Sequence, residues 1–298
     1  MKNYLTLAAA TLTFAACSNN NEPANVENEP VAAQVYASIN GLSRATGTEW
    51  AANDRIGIST VGDGATTYTN VPYKYNAGFA SEGTTIYFQG TEEVTFSAYY
   101  PFAGTDGTAE ATITATTTAD NQTAANQPTI DFLFATGAKA SKAAPEVKFT
   151  GENAFKHCMS MVTLTFKEGN DVTLTNNLTA YTLSGLKLNG TFTTANGTTA
   201  VTGDAADLAM TVTDVTVAEK AYTAPSVILF PQDAASISLK ITIDGKTFTA
   251  TLNVPEGKLQ AGNNYTYPVT ISKQGLSVGE ATITDWNTVT GDAADATM

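Results

Sequence analysis

Residues 237–254 read ISLKITIDGKTFTATLNV, and this stretch decides the fold class. Ile237, Leu239, Ile241 and Ile243 alternate with Ser238, Lys240 and Thr242, and the run from Thr247 to Val254 is again rich in β-branched and aromatic residues. Side chains that alternate with a period of two lie on opposite faces of an extended chain. Asp244-Gly245 joins the two runs and is a strong hairpin signal, because the tight turns that match strand twist need positive φ at their centre. The stretch therefore predicts a β-hairpin with one apolar face.

The same pattern recurs in both directions along the chain. Gln34 to Asn40 places Val35, Ala37 and Ile39 on one face and Tyr36 and Ser38 on the other. Ile56 to Val61 alternates and then meets Gly62-Asp63-Gly64, a turn. Thr84–Gln89, Val94–Tyr100, Ile130–Phe134, Thr179–Leu188, Ser226–Phe230, Tyr265–Ile271 and Ala281–Trp286 read as further strands. Pro101 ends one of them, since proline cannot donate to a ladder. No long window has a 3.6-residue period, so the chain is all-β, and many short strands between turns predict β-sandwiches. The segment Phe155–Phe166 (FKHCMSMVTLTF) is apolar on both faces and marks a boundary near Gly151, where the chain passes from one domain to the next. Thr105 to Gln127, rich in Thr, Ala and Asn, reads as a weakly ordered excursion. The hexapeptide TGDAAD at 202–207 and 290–295 reads as shared turn composition.

The first 17 residues are of another kind. Lys2 precedes an apolar and small-residue run ending in Phe14-Ala15-Ala16-Cys17. A basic start, a short apolar core and small residues before a cysteine form a secretory signal. The cysteine after Ala-Ala resembles a bacterial lipobox with Cys17 as the acylated residue; the alternative is an ordinary cleaved signal with an incidental cysteine. The run is shorter than the roughly 20 residues a membrane-spanning helix needs. Ser18 to Pro30, SNNNEPANVENEP, is polar and acidic and suits a flexible tether. The organisation read from sequence is thus a signal over 1–17, a linker over 18–32, a first β-sandwich over 33–152 and a second over 153–298 that includes a C-terminal strand and tail.

Composition narrows the function. The 298 residues are 43% hydrophobic and 14% charged, with a formal net charge of −13. An acidic surface argues against nucleic acid and against docking on an anionic membrane face. With Cys17 acylated, Cys158 has no partner in the chain, so no disulfide framework exists. Cys158 reads as a buried core thiol. The one histidine, His157, adjoins Cys158, but neighbours on a strand face opposite ways and do not form a nucleophile–base pair. Glu92-Glu93 and Asp204/Asp207 read as solvated carboxylates. Trp50 and Trp286 read as core anchors at strand ends. No metal, P-loop or zinc-protease spacing occurs, so no catalytic residue, metal or cofactor is expected, and the chain reads as not an enzyme.

The arginines are more telling. There are two, Arg44 and Arg55. Arg44 lies in GLSRATGT, residues 41–48, a loop of small residues directly after the first strand. Such loop tips are preferred sites of proteolytic nicking. Cleavage between Arg44 and Ala45 would free the tether and the first strand together. Arg55 is expected at the start of the next strand and protected. The plain alternative for Arg44 is a solvated loop residue.

Taken in order, several short pieces resemble one family. They are the Cys17 lipobox, Ser43-Arg44-Ala45, WAANDRIGI over 50–58, AYYP over 98–101, IDFLFA over 130–135, FKHCMS over 155–160, AGNNYTY over 261–267, KQGL over 273–276 and Asp285-Trp286. Together they resemble the fimbrillins, type V pilus subunits of the Bacteroidales. The family usually has a small residue or leucine at the position of Cys158.

The resemblance implies two tandem transthyretin-like, Greek-key β-sandwiches and a structural role in a pilus. It implies a lipoprotein precursor on the outer membrane, cut by a surface Arg-specific protease. The first strand, about Ala33 to Leu42 with Val35, Ala37 and Ile39 inward, would leave. A C-terminal strand of the next subunit would fill the groove, giving a head-to-tail fimbrium used in cell adhesion. The candidate donor runs from Leu276 onward, with Ile283 and Trp286 as anchors. Implied partners are other pilin subunits, the protease, and a host receptor or glycan. Two alternatives stay open: a tip, accessory or anchor subunit of the same pilus, and a non-polymerising lipoprotein that binds surface glycans.

Overall fold

The structure, a computed structural model, describes residues 29–40, 50–62, 64–170, 172–175 and 177–286. These residues form β-strands joined by turns and a few short 3₁₀ segments. The deciding hairpin is present: Ser236–Ile243 pairs antiparallel with Lys246–Asn253. Asp244 and Gly245 sit at φ 48° and 67°, the left-handed turn their types allow.

The N-terminal half holds a six-stranded antiparallel sheet. Its order is Lys156–His157, Leu133–Ala140, Val94–Tyr100, Arg55–Val61, Val71–Tyr75 and Phe79–Ser81. Gln34–Ala37 and Glu146–Phe149 pair with each other in parallel and are not part of that sheet. Val35, Ile39, Val147 and Phe149 share one apolar cluster with Ile56, Ile58, Phe96 and Phe155.

The C-terminal half has two main sheets. One is built on Leu178–Thr193, which pairs with Thr199–Thr211, with Ser236–Ile243 and with Thr112–Thr116. The other sets Ser160–Glu168 parallel to Asn263–Ser272, flanked by short antiparallel strands. Leu164, Phe166, Tyr267 and Val269 from one sheet and Leu183, Leu239, Ile241 and Leu252 from the other fill a common core.

A third cluster joins the halves. Tyr99, Ile130 and Phe132 meet Met159, Met161, Phe192, Phe230 and Trp286. The rings of Phe132 and Phe192 lie parallel at 4.7 Å. The doubly apolar segment Phe155–Phe166 threads all of this. Phe155 belongs to the first cluster, Cys158, Met159 and Met161 to the joining one, and Val162, Leu164 and Phe166 to the last.

Two expectations are corrected. Residues 105–127 are not a loose excursion. Thr112–Thr116 takes a place in the sheet of Leu178–Thr193. Buried Gln122 donates to the carbonyls of Thr117 (2.9 Å) and Ile228 (2.8 Å) and accepts from the Ile228 N–H. Gln127 donates to the Ser226 carbonyl at 2.6 Å. Polar side chains satisfied in this way bind a polar stretch to a core. Residues 202–207 are likewise no turn; they run through the strand Thr199–Thr211, and Gly203 at φ 71° lies in the part of the strand where its register shifts. Smaller differences follow the same logic: of Thr84–Gln89 only Tyr87–Phe88 is strand, and the strand expected at Ile130 starts at Leu133 after a 3₁₀ segment and continues to Ala140.

Phe132→Ala removes a fully buried ring from the joining cluster. The expected cost is about 3–5 kcal/mol, and calorimetry should show the single unfolding transition broadening or splitting as the halves lose their contact.

Candidate functional site

The site consists of two terminal strands and what holds them. Residues 31–40 alternate without a break, odd positions inward and even positions outward. Val35 and Ile39 are buried and Ala37 is half-buried, while Tyr36 faces solvent. Val31–Ala32 pairs antiparallel with Tyr87–Phe88, and the Ala33 N–H donates to Ile86 at 2.8 Å. At the next residue the chain changes partner. The Gln34 N–H donates to Pro145 and the Ser38 N–H to Phe149, both at 2.9 Å. Beyond that, Asn40 donates to Phe155 at 2.7 Å, and Phe155 donates back to Ser38 at 3.0 Å. Trp50 closes the groove from outside the strand. Its indole N–H donates to the Ala37 carbonyl at 2.9 Å, and its ring stands edge-on to Phe79, Tyr100 and Phe155. The strand therefore lies in a slot between Tyr87–Phe88 and Glu146–Phe149, each of which has it as its ladder partner, and it fills the slot with Val35 and Ile39.

The last strand is held differently. Gly275–Val278 and Thr282–Asp285 lie one after the other along Asn263–Ser272. Ile283 is 41% exposed, whereas Trp286 is 2% exposed. The Trp286 N–H donates to Gly262 at 2.7 Å, and its ring lies flat on His157, 4.2 Å between centres and 2° between planes. His157 Nδ1 is 2.8 Å from Asp131 Oδ1, both side chains being almost fully buried. Asp131 Oδ2, His157 Nε2 and Trp286 Nε1 have no hydrogen-bond partner among the described residues. A buried polar group left so costs about 1–3 kcal/mol. Asn40, His157, Asp285 and Trp286 line one cavity of about 400 Å³, so the ends of the first and last strands meet there.

His157 and Cys158 do not pair chemically. The Cys158 Sγ lies 3.7 Å from the carbonyl of Lys156, and burial, with the Asp131 charge adding to it, pushes the thiol up to about 12. It is a packed thiol, not a nucleophile. Arg55 begins a strand paired with Val71–Tyr75, is ion-paired to Glu82 and lies over the ring of Phe102, so its backbone is already engaged in a sheet. Among the described residues no group of three His, Cys, Asp or Glu is placed to hold a metal. Cys17, Arg44 and Ala45 lie outside the described residues. Sequence reasoning missed Asp131 as the partner of His157 and missed Glu146–Phe149 as a wall of the slot. The alternation of Val147 and Phe149 was the available signal, but four residues after a proline are easily passed over.

Residues 43–286 match the profile described as fimbrillin-like. The chain belongs to the fimbrillin-like family. A protein carrying the provisional name fimbrium subunit Fim1C, from Bacteroides uniformis, is 29% identical over 295 residues, covering 93% of this chain and 92% of that one. A crystal structure from Bacteroides ovatus, provisionally titled a cell adhesion protein, is 31% identical with a TM-score of 0.75, over 89% of this chain and 100% of that one. A second such structure, from Bacteroides uniformis, shares the fold at 24% identity and a TM-score of 0.66, over 87% and 99%. Fimbrillin-like proteins are not enzymes, and neither is this chain.

The fimbrillin-like chain carries a natural probe of its core. At neutral pH, Cys158 should resist a thiol reagent in the folded protein and react fully once it is unfolded in guanidinium. The measurement is best made with Cys17 replaced by alanine. Trp286→Ala should speed amide exchange over 275–286 while leaving 31–40 unchanged.

Proposed function

We propose that this chain is a cell-surface subunit of a fimbrium that serves adhesion, assembled with other pilin subunits by strand exchange. In this reading 33–152 and 153–298 are tandem transthyretin-like sandwiches. The precursor is held on the outer membrane by acylated Cys17, and a surface protease cuts between Arg44 and Ala45. The strand with Val35, Ala37 and Ile39 then leaves.

The observation that carries the reading is the slot of the first strand. Its removal costs roughly 1.5–3 kcal/mol for each of Val35 and Ile39 through lost apolar burial, and it uncovers unpaired backbone groups facing the strand. An open edge of that kind binds an extended segment by β-augmentation, alternate side chains entering the vacated space. An incoming strand of like pattern restores both terms. A contact between different surfaces of identical subunits propagates as a filament where its rotation does not close into a ring.

The candidate donor from Leu276 onward, with Ile283 and Trp286, suits a stalk subunit if it can leave its own sheet. A second reading, a tip or accessory subunit that accepts a strand without giving one, is favoured by the burial of Trp286 against His157. A host receptor or glycan would then be met by this subunit.

The test is the N-terminal sequence of protein sheared from the cell surface. It should begin at Ala45, and Arg44→Ala should leave the chain beginning at Cys17 and abolish the high-mass ladder of polymer. Polymer containing Arg44→Ala chains with the first strand still attached would sink the reading. A native chain that enters polymer only at its end would select the tip.

A further inference from the structure

Residues 289–298, VTGDAADATM, repeat residues 201–210, VTGDAADLAM, at eight of ten positions. The abundance of Thr and Ala does not account for this. Val, Gly, both Asp and Met recur in register, and two of the five methionines of the chain stand at the matching ends. In the fold, 201–210 form the body of the strand Thr199–Thr211, which pairs antiparallel with Leu178–Thr193 and has no partner on its other edge among the described residues.

The anchoring of this strand is uneven. Thr202 to Asp207 are exposed. Val201 packs on the joining cluster beside Phe192 and Phe230, Leu208 is fully buried opposite Leu183, and Met210 packs on the C-terminal core. Residues 289–298 keep the two outer anchors as Val289 and Met298. They keep glycine, as Gly291, where the fold needs positive φ at Gly203. They place Ala296 where Leu208 is buried.

We propose that Leu178–Thr193 is a docking site for residues 289–298 of a second copy of this chain, in the place held by 201–210, and that Leu208 against Ala296 decides which segment occupies it. The backbone bonds are the same for either occupant, so side chains discriminate. A buried leucine exchanged for alanine corresponds to about tenfold or more in occupancy. The resident strand therefore holds the site in an isolated copy. The second segment gains ground only where copies stand side by side and its effective concentration is high. Addition to the outer edge instead is opposed by the strand itself. Asp204 and Asp207 are exposed there, and an added segment would bring Asp292 and Asp295 against them. Two register shifts also break the regularity of the ladder.

The test uses a fluorescent peptide of residues 287–298 added to the full chain, with a scrambled peptide of the same composition. Fluorescence anisotropy should show weak binding by the native peptide and none by the scrambled one. The Ala296→Leu peptide should bind about tenfold or more tightly, and Leu208→Ala in the full chain should raise affinity for the native peptide by a similar factor. If that variant does not fold, the Ala296→Leu peptide on the native chain decides alone. Amide exchange over 199–211 should rise on binding, since the strand is displaced. Binding that is indifferent to Ala296→Leu, equal for the scrambled peptide, or accompanied by slower exchange over 199–211 overturns the proposal.

Discussion

The fold depends on one stretch of backbone that is buried in every core it crosses. Phe155 closes the first cluster, Met159 and Met161 fill the joint, and Leu164 and Phe166 lie in the C-terminal core. A stretch this buried, with Lys156 its one exposed residue, has little register freedom: a slip of one residue would move each of these side chains into a space shaped for its neighbour. The sheets on either side are thereby fixed relative to each other, and both terminal strands inherit that geometry. The first is bonded to Phe155 through Ser38 and Asn40, and the last rests on His157 two residues further on.

This placement bears on the proposal that the first strand leaves while the rest persists. The first strand adds to walls that already have a hydrophobic interior of their own, with Phe149, Phe155 and Trp50 packed edge to face around it. Taking it away removes two aliphatic side chains and a line of backbone bonds, and the six-stranded sheet keeps every one of its own pairings. A strand inside that sheet, such as Val94–Tyr100, could not be lost on the same terms, because it is bonded on both sides within the sheet and carries Phe96 and Tyr100 into the core.

Much of this was legible from alternation. The hairpin at Asp244-Gly245, the inward face of Val35, Ala37 and Ile39, and the passage at Phe155–Phe166 all rest on a period of two, which is a local property. What was not legible is set by distant partners. Thr112–Thr116 has too little apolar character to announce a strand, and it becomes one because Leu178–Thr193 offers an open edge. Gln122 looks like a loop residue until the backbone of Ile228 meets both ends of its amide. The TGDAAD hexapeptide has turn composition and is nonetheless extended, because Val201, Leu208 and Met210 anchor it from outside. Cys17, Arg44 and Ala45 were read from sequence and lie outside the described residues, so the structure adds only the strand that lies between Cys17 and Arg44 in the chain and the slot it fills.

The two terminal strands differ in what opposes their release. For the first, the opposing terms are apolar burial and backbone pairing, both of which an incoming strand of similar pattern restores in full. For the last, the main term is the Trp286 indole, fully covered and stacked on His157. Against it stand three buried polar atoms without partners, on Asp131, His157 and Trp286. Release of the strand would return the indole N–H and the imidazole to water, recovering about 1–3 kcal/mol for each group rehydrated, while forfeiting about 3–5 kcal/mol of aromatic burial. The terms are of similar size. With these two terms near balance, the ladder to Asn263–Ser272 still holds the last strand, and the cavity lined by Trp286 and Asn40 sets its end beside that of the first strand.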